Sequence, residues 1–289
     1  MSYLAHIQRC NAHDLGRFLP FTIGAEQVGW IRPAVRDVLL GIHSEFEAAG
    51  AGVRVAARHA SFDGRSAALT AGAAALVEAG VIRGLRTERY GVTNAWGRPP
   101  LAAIDRGAVE AFGCRAYGVH VNGWRRRPDG GIAMWIGVRA GDKAVEPGKR
   151  DNMVAGGQPL GLGLMANLAK EAAEEADVPP ALAAQARPVG AIAYVMAGQV
   201  GLKPDMLFCY DLETPADFTP RNTDGEMERF ELLALEDIAE AIRTTDTYKF
   251  NVNLVVLDFM IRHGVLDPDT CPDYAAIVAG LHRSQSALC

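Results

Sequence analysis

Over residues 33–49, Val35, Val38, Leu39, Ile42 and Phe46 recur at helical spacing, Pro33 opens the first turn and Gly50 follows as a stop, which predicts a helix. A second helix is predicted over 67–79, ended by Gly80, and Val53-Arg54-Val55 reads as extended chain. Together these signals describe a small α+β unit ending near Phe112. From Ala116 the period shortens. Val119 and Val121 alternate with His120 and Asn122, as in a strand with one face in a core and the other in water. The turn Pro128-Asp129-Gly130-Gly131 leads into a second strand over 132–138, so the two read as a hairpin. Further strands are predicted over 189–197, 206–212 and 229–235, and helices over 236–242 and 251–263, the last stopped by Gly264.

Between these strands lies a segment of different character. Leu164, Met165, Leu168, Ala169, Ala172 and Ala176 form an apolar helical stripe, and Pro179-Pro180 marks its end. Opposite the stripe stand Glu171, Glu174 and Glu175. At about 100° per residue, Glu174 lies roughly 60° to one side of Glu171 and Glu175 about 40° to the other. Three carboxylates thus share an arc of about 100°. Stability alone disfavours this, because like charges at such spacings repel by a few tenths of a kcal/mol per pair. A hard divalent cation reverses the sign, since it takes several carboxylate oxygens at close range. Gly156-Gly157 precedes the helix, and glycine permits close backbone approach.

The segment from Gly156 to Val178 resembles the signature of the Nudix hydrolases, G-x5-E-x7-R-E-U-x-E-E-x-G-U with U aliphatic. Gly156 takes the first glycine, Glu171 the Glu of the R-E pair, Glu174 and Glu175 the E-E pair, and Val178 the final aliphatic position. Leu162 stands where the pattern has its first Glu, Lys170 replaces Arg, and Asp177 replaces Gly. Lys170 keeps the charge but lacks the bidentate fork of Arg. Further similarity, in YGVHVNGW (117–124), MWIGVRAGDK (134–143), PGKRDNMVAGG (147–157), YKFNVNLVVLDFMIRHG (248–264) and back to LRTERY (85–90), is to a subgroup with an extra N-terminal domain. That subgroup also forms the N-terminal half of fungal thiamine pyrophosphokinases.

The resemblance implies a Nudix α/β/α sandwich with a mixed sheet over 114–289, preceded by a small α+β domain over 1–113. It implies Mg²⁺ or Mn²⁺ held by Gly156, Glu171, Glu174 and Glu175, and hydrolysis of a phosphoanhydride in a small-molecule diphosphate. Thiamine diphosphate or its oxidised analogues are the substrates implied by the subgroup. A nucleoside diphosphate derivative, or a module that binds diphosphate without cleaving it, are the alternatives. Lys170 is expected to orient Glu174, and the general base to be one of Glu171, Glu174 and Glu175, or Glu226 or Glu228 from the loop before the 229–235 strand. Gly157, Lys143, Arg139 and His120 are the expected substrate contacts, and Trp96, Trp124 and Trp135 offer faces for a cationic ring.

Composition narrows the partners. The formal charge of −5 argues against a nucleic-acid binder. No apolar run reaches the ~18 residues of a membrane span. Cys10, Cys114, Cys209, Cys271 and Cys289 are an odd, widely spaced set, which indicates neither a disulfide framework nor a zinc site. A reducing, cytoplasmic compartment is the resulting expectation.

Overall fold

The computed structural model describes residues 2–143 and 145–282, so Cys289 lies outside the described residues. The first third comprises α1 (Tyr3–Cys10), β1 (Leu19–Ile23), β2 (Glu26–Ile31), α2 (Pro33–Leu40), β3 (Phe46–Ala49), β4 (Gly52–Val55), α3 (Phe62–Glu78), β5 (Arg89–Val92), β6 (Ala102–Asp105) and α4 (Val109–Phe112). Strands β2-β1-β4-β3 form one sheet, and β5 and β6 pair as a separate ribbon. Helix α3 begins at the Ser61 cap, whose hydroxyl accepts from the Gly64 N–H. The helix expected over 33–49 stops at Leu40 instead. Phe46, which matched its helical spacing, is buried in β3 opposite Val55, with its ring near those of Phe21 and Phe112. Strand pairing and aromatic packing outweigh helical propensity there.

The remainder comprises β7 (Ala116–Arg126), β8 (Ile132–Arg139), β9 (Arg150–Asn152), β10 (Val154–Gly157), α5 (Leu164–Ala176), α6 (Pro180–Ala183), β11 (Arg187–Ala197), β12 (Leu202–Glu213), β13 (Met227–Ala234), α7 (Leu235–Thr244), α8 (Val252–Arg262) and α9 (Tyr274–Leu281). Among the described residues these strands form a seven-stranded mixed sheet, ordered β11-β12-β7-β8-β13. Strands β7 and β12 are parallel, and the other neighbours antiparallel. The β7–β8 hairpin pairs only from Trp124–Met134 to Arg126–Ile132 and then parts. Strand β10 fills the opening against β7, and β9 against β8. The gap in the sheet brings the Gly156-Gly157 backbone beside Val119 and Gly118, in the first half of β7.

Each face of this sheet carries its own apolar layer. Helices α5 and α6 pack with Val119, Val121, Tyr210 and Leu212 on one side. On the other, α7, α8 and α9 pack with Trp124, Ile136 and Cys209. The architecture is the expected α/β/α sandwich with a mixed sheet. Strand β7 is consequently buried on both faces from Tyr117 to Trp124, not on one as its alternation predicts. His120 and Asn122 sit beneath a helix layer rather than in water.

Helix α1 belongs to this second core, although the first unit follows it in sequence. Ile7 and Cys10 pack into the layer formed by α8 and α9, and Ile7 lies directly against Gly280. His6 Nε2 is 2.8 Å from the carbonyl of Ile242. We propose a junction between the units at Gly113, where φ is 58°, with α1 assigned to the second unit. Cys10, Cys114, Cys209 and Cys271 are all buried free thiols. No described helix is long and apolar enough to cross a membrane.

Ile7 is 2 % exposed, so Ile7→Ala removes a buried side chain from the second core. The expected loss is about 2–4 kcal/mol in chemical denaturation of the full chain. A loss below about 0.5 kcal/mol, the range of surface substitutions, would show that α1 does not belong to this core.

Candidate metal and diphosphate site

Helix α5 presents its three glutamates unequally. Glu175 is 3 % exposed, whereas the side chains of Glu171 and Glu174 are 13 % and 49 % exposed. At about 100° per residue Glu175 lies only about 20° from Leu168, on the flank of the apolar stripe, and is buried with it. Met165 is exposed, and Asn167 and Glu175 face inward with Leu168, Ala172 and Ala176. Both inward polar groups bind the strand beneath. The Ala155 N–H donates to Glu175 Oε2 at 2.8 Å, and Asn167 Nδ2 donates to the Gly157 carbonyl at 2.8 Å. Asp177 ends the helix in the left-handed conformation, φ 51° and ψ 37°, which Asp tolerates better than most residues. Arg221 Nη2 holds its carboxylate at 2.7 Å.

The two glycines of β10 are set by contact rather than by flexibility. A β-carbon on Gly156 would fall within the Glu171 carboxyl group, and one on Gly157 would collide with the Tyr90 hydroxyl. Gly156 therefore lets α5 seat on the strand, and Gly157 admits the β5–β6 ribbon of the first unit. The Leu160 N–H donates to the Arg89 carbonyl at 2.8 Å and extends the same seam. Gln158 Nε2 donates to the Leu162 carbonyl at 2.8 Å, which closes the loop ahead of α5. Leu162, in the signature's first Glu position, is exposed on that loop.

Electrostatics sets Glu175 apart. Burial drives its carboxyl well above the usual range; the Ala155 N–H pulls it back, and Asp151, Glu171 and Glu226 push it up further. Taking a carboxylate out of water costs several kcal/mol, whereas a hydrogen bond to a charged group returns about 1.5–3 kcal/mol. The shortfall is what a cation would supply. Burial also raises Glu171, with Lys170 opposing and Glu174 and Glu88 adding to the rise. Lys170 donates to Glu174 at 2.6 Å and to Glu171 at 3.2 Å. Despite partial desolvation, the hydrogen bond to Glu174 and the charge of Glu171 push Lys170 to about 12.

Among the described residues, no three His, Cys, Asp or Glu side chains converge as a metal-holding group, and Glu174 is paired with Lys170. The donor set nonetheless suits a hard divalent ion. It offers carboxylate oxygens on one helix, one of them buried without a cationic partner among the described ion pairs.

Glu226 pairs with Lys143, and its charge is among those that raise Glu175. Burial raises its carboxyl, but the hydrogen bond and charge of Lys143, then Arg106 and Arg139, bring it below the usual range. Glu228 is exposed and pairs with Arg229 at 3.0 Å. Arg139 does not project from its loop as expected. It is buried, donating to Asp151 at 2.7 Å and to the Val145 carbonyl at 2.9 Å, because a desolvated guanidinium requires such partners. Lys249 reaches the same Asp151 at 3.1 Å.

His120 is buried too, and its Nδ1 is 2.9 Å from Asn152 Oδ1. Asn152 donates to Asn122, and Asn122 donates to Asp211, a polar string across β9, β7 and β12. Trp124 and Trp135 are core residues, while Trp96 is 46 % exposed, its ring 4.9 Å from Tyr117 and 4.6 Å from Phe208. Sequence reasoning missed Asp151 and Lys249, whose charges are paired only in three dimensions, and Asn152, whose amide bridges His120 and Asn122. It also missed Tyr90 and Arg106, which come from the other unit.

Known proteins bear on this geometry. A family described as a domain of unknown function (DUF4743) matches residues 2–116. The chain is 37 % identical over 279 residues to Nudix hydrolase 20, chloroplastic, of Arabidopsis thaliana, covering 93 % of this chain and 74 % of that protein. It is also 37 % identical over 276 residues to Nudix hydrolase 24, chloroplastic, of the same plant, with 94 % and 75 % covered. Among solved structures, DR0079 from Deinococcus radiodurans is similar at 22 % identity and a TM-score of 0.45, over 59 % of this chain and 98 % of that one. The chloroplastic relatives overturn the cytoplasmic expectation. Buried thiols report a redox state, which differing compartments share, and not an address.

Burial, then the charge of Lys249, lowers His120 to about 4. An unfolded histidine titrates near 6.5, so the unfolded chain binds the extra proton between these values and stability falls as pH drops through that window. Between pH 7.5 and pH 5 the histidine accounts for a loss of about 2 kcal/mol. Denaturation of wild type and His120→Gln at both pH values isolates it. Equal losses in both proteins would refute the assignment.

Proposed function

The chain belongs to the Nudix hydrolases, enzymes acting on pyrophosphate bonds, and on that footing we propose that it is a divalent-metal-dependent diphosphatase for thiamine diphosphate or its oxo and oxy analogues. The observation that carries the hydrolase chemistry is Glu175, a buried carboxylate fixed by the Ala155 N–H beneath a helix bearing two more glutamates. Glu171, Glu174 and Glu175 would hold Mg²⁺ or Mn²⁺ with the Gly156 carbonyl. When bound, the ion supplies charge neutralisation at the phosphoryl oxygens and acidifies a water. The chain's own groups do the rest. Lys170 fixes the orientation of Glu174, and a bound cation would compete with it for that carboxylate. Glu226, ionised beside Lys143, accepts the proton of the attacking water; Glu228, paired with Arg229, is the weaker candidate.

For the other end of the substrate, the exposed Trp96 face supports recognition of an aromatic cation such as a thiazolium ring. The same face also suits a nucleobase, so a nucleoside diphosphate derivative is the second reading.

Phosphate release is the test, with thiamine diphosphate, its oxo and oxy analogues, ADP-ribose and diadenosine polyphosphates, each with and without Mg²⁺ or Mn²⁺. Metal-dependent release from the thiamine set is expected. Release from the nucleotide set alone would discard the substrate. Glu175→Gln keeps an acceptor for the Ala155 N–H but loses the charge, and turnover is expected to fall roughly a hundredfold or more. A variant at wild-type rate would remove Glu175 from the chemistry.

A further inference from the structure

Resting on the hydrolase reading, we infer that Arg106, from the first unit, is a substrate-binding residue that grips the diphosphate from the side opposite α5. Its backbone is rigidly placed. Asp105 accepts from the N–H groups of Arg86, Thr87 and Gly107, at 2.9, 3.0 and 2.7 Å, and so ties the start of the 3₁₀ turn at Arg106 to the preceding loop. The Arg106 N–H donates to the Glu88 carbonyl at 2.9 Å. From that fixed point the side chain lies over the Tyr90 ring, its Cζ 5.9 Å from the centroid. Tyr90 in turn touches Gly157, and Arg106 Cζ is 3.6 Å from where a β-carbon on Gly157 would be. The guanidinium therefore rests beside the glycine pair that underlies α5, and the fields of Glu171 and Glu226 reach it.

The other cations paired with or near these carboxylates are engaged differently. Lys170 sits on Glu171 and Glu174, Lys143 sits on Glu226, and Arg139 is buried on Asp151. Arg106 pairs with Glu88 at 2.9 Å while its side chain stays 51 % exposed. A solvated pair of this kind contributes at most about 1 kcal/mol, so exchange of Glu88 for a diphosphate is cheap. The planar fork of Arg matches two phosphate oxygens at once, and hydrogen bonds to charged groups are about twice as strong as neutral ones. In this arrangement the cation on α5 and Arg106 hold the diphosphate from opposite sides. The first unit then supplies part of the site itself, with Glu88 as the resting partner of the guanidinium.

Calorimetric titration of the full chain with methylenediphosphonate in Mg²⁺, a non-hydrolysable probe, tests this without turnover. Arg106→Ala is expected to weaken binding by about ten- to a hundredfold, with Arg106→Lys recovering only part of the loss. Glu88→Gln, which frees the guanidinium, is expected to keep or tighten affinity. Melting temperatures recorded alongside report folding. Unchanged affinity in Arg106→Ala, equal losses in Arg106→Ala and Glu88→Gln, or no binding by the wild type would overturn the assignment. Arg106-dependent binding with no phosphate release from any substrate would instead discard the hydrolase reading and leave the Arg106 contact standing.

Discussion

The hydrogen bond from the Ala155 N–H to a buried Glu175 carboxylate fixes how α5 lies on the sheet, and most of the site follows from that seating. It seats the helix so that a carboxylate, alongside the apolar stripe, faces the strand. That choice costs stability, because one backbone donor does not offset the desolvation of a charge. It also explains the glycine at 156, where any side chain would displace Glu171. Asn167, one helical turn and more before Glu171, makes the corresponding bond to Gly157. The helix is therefore registered at two points, and Glu175 is held by the backbone of β10 while Glu171 and Glu174 meet Lys170.

The parted hairpin is the second constraint. Because β7 and β8 share so few rungs, two short strands fit between them, and the β10 backbone reaches the sheet centre with its glycines exposed to both units. A continuous β7–β8 ladder would have left no place for α5 to bind strand N–H groups. The cost of the opening is a set of buried polar side chains. His120, Asn152, Asn122 and Asp211 satisfy one another across three strands, and Arg139 with Lys249 neutralises Asp151. Such a network is tolerable only when its members are paired.

Much of this was legible in the residues. The acidic arc on α5, the change of period at Ala116 and the later strands and helices all follow from local spacing, which a helix or strand must obey wherever it packs. What spacing does not carry is which neighbour arrives. Phe46 fits a helix stripe and a strand equally well, and the pairing with Val55 decides it. Val119 and Val121 alternate with polar residues as if facing water, yet a helix layer covers both sides because the polar residues bind each other. Arg139 reads as a loop cation until Asp151, twelve positions away, is seen beside it. Tyr90 and Arg106 carry no local mark of the site, since their place in it depends on how two units meet.

The lodging of α1 in the second core has a mechanical corollary. On the proposed division, the intervening unit leaves that core at Cys10 and returns to it at β7, so it would be an insertion tethered at both ends rather than a domain on a single leash. On that division both ends of the unit are anchored in the second core, so the β5–β6 ribbon is held against Gly157 through two connections rather than one.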